Sequence, residues 1–442
     1  MASRRDFLRG AASVAGAGAV GSRFSAKSYA QIVGANERVN FAVIGLNSRA
    51  YAHLSSLQAN RANARISHVC DVDTVILSKF AGATEKSMGS MPATQQDFRN
   101  VLASKDVEAI TIATPDHWHA PMAILALAAG KHVYVEKPCS HNPREGKLLV
   151  EAQKKYGKLC QMGSQQRSSP HTIEIVGKIH DGLVGRAYWA ETWYTNRRKP
   201  IGVGKAVAVP PSLDWDLWQG PAPRQEYKDN IHPYNWHWFR NWGTGETLNN
   251  GTHEVDIARW ALNAGFPSKI TAAGGRYAAQ DDWQFYDTLD TSFVYPEQLI
   301  TWKGDCCSGK TTYGRERGTC VHGTNGSVII DRDGYDVFDL KDKLVTSMRI
   351  NKTQTSSTDL VGADQMTDAH FTNFIAAIRT GAALRQPVAQ GNVAVTMLQL
   401  SNVGYFAGRE LTTDPETYAI VGDKEAEAMT GRAYEKGWEP TV

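Results

Sequence analysis

The residues most able to do chemistry stand where short apolar runs end. Val39–Ile44 leads into Gly45-Leu46-Asn47-Ser48-Arg49-Ala50, where a dinucleotide-binding fingerprint would read G-x-G-x-x-G. Only the first glycine is present. Asn47 tolerates the left-handed conformation that the second glycine supplies, and Ala50 is small enough for close strand-to-helix packing. Gly45, Asn47, Ser48 and Arg49 are therefore candidate cofactor contacts, against the alternative of a plain strand-turn-helix. The next run, Ala64–Cys70, strengthens the first reading because it ends on Asp71, 26 residues beyond Gly45. A carboxylate there accepts hydrogen bonds from an adenosine ribose and repels a 2′-phosphate, which favours NAD over NADP. A solvated turn aspartate is the competing reading.

Two further runs end in loaded segments. Residues 110–114 lead into Pro115-Asp116-His117-Trp118-His119, and His132–Val135 leads into Glu136-Lys137-Pro138. Ligands of open α/β sheets bind beyond the C-terminal ends of the strands. Thr114, Pro115, His117, His119, Glu136 and Lys137 are thus expected to face one crevice, with an ordinary surface lysine as the alternative for Lys137. Later, Tyr234-Asn235-Trp236-His237-Trp238-Phe239-Arg240-Asn241-Trp242 interleaves aromatic rings with amide and imidazole groups. That mixture suits the apolar C–H faces and hydroxyls of a sugar. Tyr234, Trp236 and His237 are candidate substrate contacts, with Trp193, Tyr194, Asn196 and Arg197 as further wall; core or subunit contacts are the alternative.

The elements that must position these residues alternate. Strands are expected at Val39–Ile44, Ala64–Cys70, 109–114 and 131–135, with helices at Ser48–Ala59, 75–84, 97–104, 120–129 and 142–156 between and after them. This is the βαβ pattern of a doubly wound parallel sheet. The short run 158–162 closes that domain, placed at residues 36–160. Beyond it strand-like runs dominate, at 187–194, 269–273, 291–295, 298–303, 318–322 and 327–331, and helices at 253–263 and 368–380 are expected to cover them. Residues 161–442 then form an α+β substrate-binding and oligomerisation domain on a large, mostly antiparallel open sheet.

Hydrophobic residues make up 42% of the 442 and charged residues 21%, which excludes the disordered and fibrous classes. Arg4-Arg5-Asp6-Phe7-Leu8 and the apolar stretch 11–20 look like a twin-arginine export signal spanning residues 1–30, with Ser28-Tyr29-Ala30 as a cleavage site. The expected partner is the export machinery and the expected location periplasmic or otherwise exported. Residues 1–30 carry five Lys/Arg and one acid against a whole-chain charge of +3, so the rest is at −1. Such a body gives no reason to expect nucleic acid, and no later run is long enough to anchor it in a membrane. The six cysteines show no C-x-x-C pair, so no metal site is expected. A bridge from Cys320 to Cys306 or Cys307 is one possibility, free buried thiols the other.

Taken in order, these motifs resemble those of the glucose–fructose oxidoreductase, inositol dehydrogenase and MocA family (Gfo/Idh/MocA). The matches run from Val43-Ile44-Gly45 through Cys70-Asp71-Val72-Asp73, Ala113-Thr114-Pro115-Asp116-His117 with His119, and Glu136-Lys137-Pro138. They continue to Gly163-Ser164-Gln165-Gln166-Arg167, Gly251-Thr252-His253-Glu254-Val255-Asp256, and a late helix with His370 and Asn373-Phe374. The resemblance covers roughly residues 36–415. It implies a Rossmann domain with an oligomerising C-terminal domain, hence a homo-oligomer (dimer or tetramer), and adds Gln165 and Arg167 to the cofactor contacts.

It further implies a catalytic lysine at Lys137 and an Asp/His pair four residues apart, which here reads Asn249 and His253. Asn249 cannot ionise, so it can hydrogen-bond a sugar hydroxyl but cannot take a proton or raise the pKa of His253; capping the following helix is its other reading. A histidine near a helix N-terminus is held neutral by the dipole, as a general base requires. The activity implied is NAD(P)-dependent hydride transfer on a sugar, cyclitol or glycoside. Because exported protein meets no pool of free cofactor, NAD is expected to be loaded before export and kept. The alternatives are an NAD-dependent glycosidase working by transient C3 oxidation and elimination, and a non-catalytic sugar-binding protein. For the family's exported N-acetylgalactosaminidase branch, Asn249-Asn250-Gly251-Thr252-His253 departs from the histidine motif expected there.

Overall fold

The computed structural model describes residues 38–350 and 364–442. The export-signal reading of residues 1–30 lies outside them. Six parallel strands form the N-terminal sheet: β1 (Val39–Ile44), β2 (Ala64–Cys70), β3 (Ala93–Gln95), β4 (Ala109–Ile112), β5 (His132–Val135) and β6 (Cys160–Met162), in the order β3-β2-β1-β4-β5-β6. The order reverses between β1 and β4, and that switch point opens a crevice beyond the strands' C-terminal ends. The strands are apolar on both faces because helices cover both; every residue of β4 is buried.

The helices begin and end on local signals. Asp73 caps Thr74–Met88 by accepting from Val75 N and Ile76 N, and left-handed Gly89 ends it. Asn142 accepts from Glu145 N ahead of Pro143–Tyr156, which Gly157 ends. Gly45 is required by geometry. Its φ is +79°, and a Cβ there would lie 2.6 Å from Thr114 N and 2.8 Å from the Ala113 carbonyl carbon.

The C-terminal domain carries a nine-stranded sheet. Its strands are β7 (Ala187–Thr195), β8 (Lys269–Gly275), β9 (Thr288–Val294), β10 (Leu299–Asp305), β11 (Arg317–Gly323), β12 (Gly326–Asp331), β13 (Gly334–Phe338), β14 (Leu344–Arg349) and β15 (Leu411–Thr412). The order is β14-β13-β12-β11-β7-β10-β9-β8-β15, and only β7 and β10 pair in parallel. Helix Gly251–Ala261 lies on one face, its Val255 and Ala258 sharing a core with Ala190, Ile300 and Val321.

Two expectations are corrected. The late helix, Gln365–Thr380, covers the N-terminal sheet and not the second one: Phe371, Phe374 and Ile375 pack with Phe41, Val43 and Leu54. Its apolar face matches either sheet, so only packing decides. Cys320 forms no bridge; all six cysteines are free, and Cys320 is buried beside Trp193 and Ile329. Helix Val388–Ala407 was not anticipated, since its apolar residues lie all around it and it is buried along most of its length.

Candidate functional site

The crevice at the switch point continues into a cleft of about 430 Å³ that both domains line. Its lining includes Gly45, Asn47, Ser48, Asp71, Thr114 and Pro115 and, from the lysine and substrate candidates, Lys137, Asn249, His253, Tyr234, Trp236 and His237. These residues were separate candidates in the sequence, and the fold brings them to one wall.

The Asp71 carboxylate accepts from Leu46 N at 2.7 Å and Asp73 N at 2.9 Å, which fixes its rotamer in the cleft lining. Burial pushes its pKa up to about 6. Asn47 precedes helix Ser48–Ala59 without its side chain capping it, so first-turn N–H groups at the mouth of the cleft keep their donors. Such donors fit a dinucleotide's pyrophosphate, and Asp71 fits its ribose.

Glu136 is the hub beneath the crevice. It accepts from Arg49 Nε at 2.8 Å and Gln165 Nε2 at 3.0 Å, and His53 Nε2 lies 2.9 Å away. Burial alone would raise its pKa; Arg49 and His53 outweigh burial and hold it well below the carboxylate range. Arg49, Glu136 and Gln165 therefore line the cleft, as expected, but these polar atoms are bonded to one another and brace the floor. His119 also lines it, with Nδ1 2.6 Å from Pro138 O and Nε2 2.8 Å from Thr114 O, tying together the two loaded loops.

Two expected contacts are elsewhere. His117 points away from the cleft: its Nε2 lies 3.0 Å from Trp218 O, because on helix Asp116–Ala128 residues 117 and 119 project to different sides. Arg167 makes a two-pronged pair with Asp256 at 2.8 Å for each prong and lies over Trp260, which makes it a buried clamp within the C-terminal domain. Of the expected further wall, Tyr194 and Asn196 line the cleft; Trp193 and Arg197 do not.

The Lys137 ammonium donates to the Asn249 carbonyl at 2.6 Å and to its Oδ1 at 3.3 Å. Asn249 closes the short helix Gly245–Asn249 and does not cap the next one. Burial lowers the Lys137 pKa to about 8, against the opposing pull of Asp116 and Glu136. Burial, then Arg332 and Lys137, push His253 well below the usual imidazole range, so its ring is neutral at pH 7. Trp236 stacks on His237 with centroids 3.6 Å apart, and burial lowers the His237 pKa to about 3. Sequence reasoning missed Arg198, Arg317 and Arg332, all on this wall. Arg332 sits in an acidic turn, Asp331–Gly334, a pattern that ordinarily reads as solvated.

Among known proteins, residues 39–164 match the profile of the oxidoreductase family with an NAD-binding Rossmann fold, Gfo/Idh/MocA. The matched residues are those of the N-terminal domain, and the fold that the profile describes there is an NAD-binding one. The chain is 26% identical over 294 residues to the scyllo-inositol 2-dehydrogenase (NAD(+)) of Bacillus subtilis, covering 66% of this chain and 74% of that one. It is 31% identical over 208 residues to a glycosyl hydrolase family 109 protein of Saccharopolyspora erythraea, covering 44% of this chain and 45% of that one, so it spans about half the length of that relative. A structure of levoglucosan dehydrogenase in complex with NADH and levoglucosan superposes with a TM-score of 0.64 at 18% identity, over 85% of this chain and 99% of that one. The aldose-aldose oxidoreductase of Caulobacter crescentus complexed with glycerol does so at 0.64 and 17%, with the same coverage. At these identities the likeness is one of fold.

Proposed function

We propose that the chain is an NAD-dependent oxidoreductase acting on a hydroxyl or ketone of a sugar, cyclitol or glycoside. One observation carries this reading. A lysine ammonium and a neutral imidazole converge, with Asn249, on the same cleft that holds the ribose-binding carboxylate. When bound, NAD supplies or takes up the hydride. The chain's residues do the rest: the neutral His253 ring takes the hydroxyl proton, and the Lys137 ammonium stabilises the oxygen as it becomes an alkoxide. The Asn249 carbonyl and Oδ1 hold Lys137 in place, and its Nδ2 is left to donate to a substrate oxygen. Trp236 and His237 offer a stacked face for the sugar ring. Asp71 favours NAD over NADP by its charge.

The dehydrogenase activity named for the Bacillus subtilis relative supports hydride transfer as the net reaction. The glycosyl hydrolase relatives favour a second reading, in which the hydride returns to the same sugar after elimination and hydration, giving net hydrolysis. The twin-arginine pattern supports an exported enzyme that retains its cofactor. The test is a screen of sugars, cyclitols and aryl glycosides against the NAD-loaded protein, with absorbance at the reduced-nicotinamide band and glycoside cleavage read in parallel.

A further inference from the structure

The cations lining the cleft are not all matched. Arg49 is paired with Glu136 at 2.8 Å, Arg198 with Glu246 at 2.6 Å and Arg317 with Glu254 at 2.7 Å. Arg332, in the turn between β12 and β13, makes no hydrogen bond or ion pair to any described residue, though its guanidinium lines the cleft beside His253. Its neighbour Arg317 is 6% exposed and lines the same wall. Both Nε and Nη2 of Arg317 approach the same Glu254 oxygen at 2.7 Å, so Arg317 is committed to that carboxylate.

A partly buried guanidinium with unspent donors is costly unless something supplies charge and acceptors. Burial, with Arg317 second, pushes Arg332 below the usual arginine range, and Glu254 and Asp364, neither in an ion pair with it, offset this only in part. The missing partner enters from the cleft. A planar fork of N–H groups matches a carboxylate bidentately.

We infer that Arg332 is a receptor for a carboxylate on the substrate, so that the preferred substrates are acidic sugars of the uronate class over their neutral counterparts. This rests on the oxidoreductase reading for what happens to the sugar, but the receptor is a binding site in its own right and can be tested separately.

The test is calorimetric binding to the full chain, with and without NADH, of three matched pairs: glucuronate and glucose, galacturonate and galactose, mannuronate and mannose. Glucose 6-phosphate is included as a dianion. In at least one pair the acid should bind about 10-fold or more tightly than the neutral sugar, as expected for a charge-assisted pair. R332Q should abolish that preference, and R332K should keep part of it by retaining the charge without the fork. Equal or absent binding within all three pairs, or a preference that survives R332Q in protein of wild-type melting temperature, overturns the inference. Tighter binding of glucose 6-phosphate than of every uronate overturns the carboxylate assignment. Loss of NADH affinity in R332Q with the uronate preference intact would reassign Arg332 to the cofactor. NADH binding, read by nicotinamide fluorescence, separates the two claims. NADH binding without carboxylate preference removes this inference alone; carboxylate preference without NADH binding removes the oxidoreductase reading alone.

Discussion

The Lys137 ammonium donates to the main-chain carbonyl of Asn249 at 2.6 Å, across 112 residues of sequence. That bond joins a loop at the end of β5 to the C-terminal domain and holds Lys137 in the cleft that His253 also lines.

The pH dependence of turnover follows from this pair. Lys137 titrates at about 8 and must be protonated to stabilise an alkoxide, whereas His253 stays neutral from well below its usual range upward. We expect kcat/KM for alcohol oxidation to have a descending limb near pH 8 and no ascending limb from His253 between pH 6 and 8. In Asn249→Asp the new carboxylate faces Lys137, now 3.3 Å from Oδ1, and favours its charged form, so the descending limb should move to higher pH. A limb that stays put would remove Lys137 from that role.

Lys137→Ala and His253→Ala should each lower turnover by on the order of 10²-fold or more, the usual cost of losing an electrostatic or acid–base group. NADH affinity should survive in His253→Ala, because that residue comes from the C-terminal domain. Fluorescence titration beside steady-state kinetics checks both. Near-wild-type turnover in His253→Ala would point to His237 as the base.

Much of this was legible beforehand, and the reasons are local. Gly45, Asp71 and Lys137 follow apolar runs that can only be buried parallel strands, so their place at one edge was fixed by sheet topology. His117 and Arg167 were misplaced because strand-end logic locates a segment but not the direction of each side chain within it. Helix Gln365–Thr380 was assigned to the wrong sheet because an amphipathic face does not name its partner. Arg332 was invisible: nothing in an acidic turn says that the turn folds back over a cleft.

Asp71 should make cofactor binding pH-dependent. Its pKa in the cofactor-free protein is about 6, raised by burial, and the ionised form is the better acceptor for ribose hydroxyls. NADH should therefore bind more tightly as pH rises through 6. Asp71→Asn should abolish that trend and, by weakening hydrogen bonds to a charged group worth about 1.5–3 kcal/mol, lower affinity roughly 10- to 100-fold. The check is a set of NADH titrations from pH 5 to 8.

Gly45→Ala should destabilise the fold itself. A side chain at φ +79° costs about 1–2 kcal/mol, and the added Cβ meets the Thr114 backbone at 2.6 Å, where nothing flexible can yield. A lowered melting temperature together with loss of NADH binding is expected. Unchanged values would mean that the β1–β4 crevice is wider than described.

Replacing Arg4 and Arg5 by Lys should leave the protein in the cytoplasm, since the export pathway reads the arginine pair. Fractionation of expressing cells decides this. An unchanged periplasmic yield would count against export by that route.

The central claim is that this cleft holds NAD and moves a hydride to or from a sugar. Its most direct test is to denature the purified protein, identify any released nucleotide by mass, and follow absorbance of the intact protein at the reduced-nicotinamide band as sugars, uronates and cyclitols are added. We expect NAD or NADH to be released and at least one of these compounds to change the band. Protein that releases no dinucleotide, binds added NAD only weakly and shows no change with any compound would contradict the account.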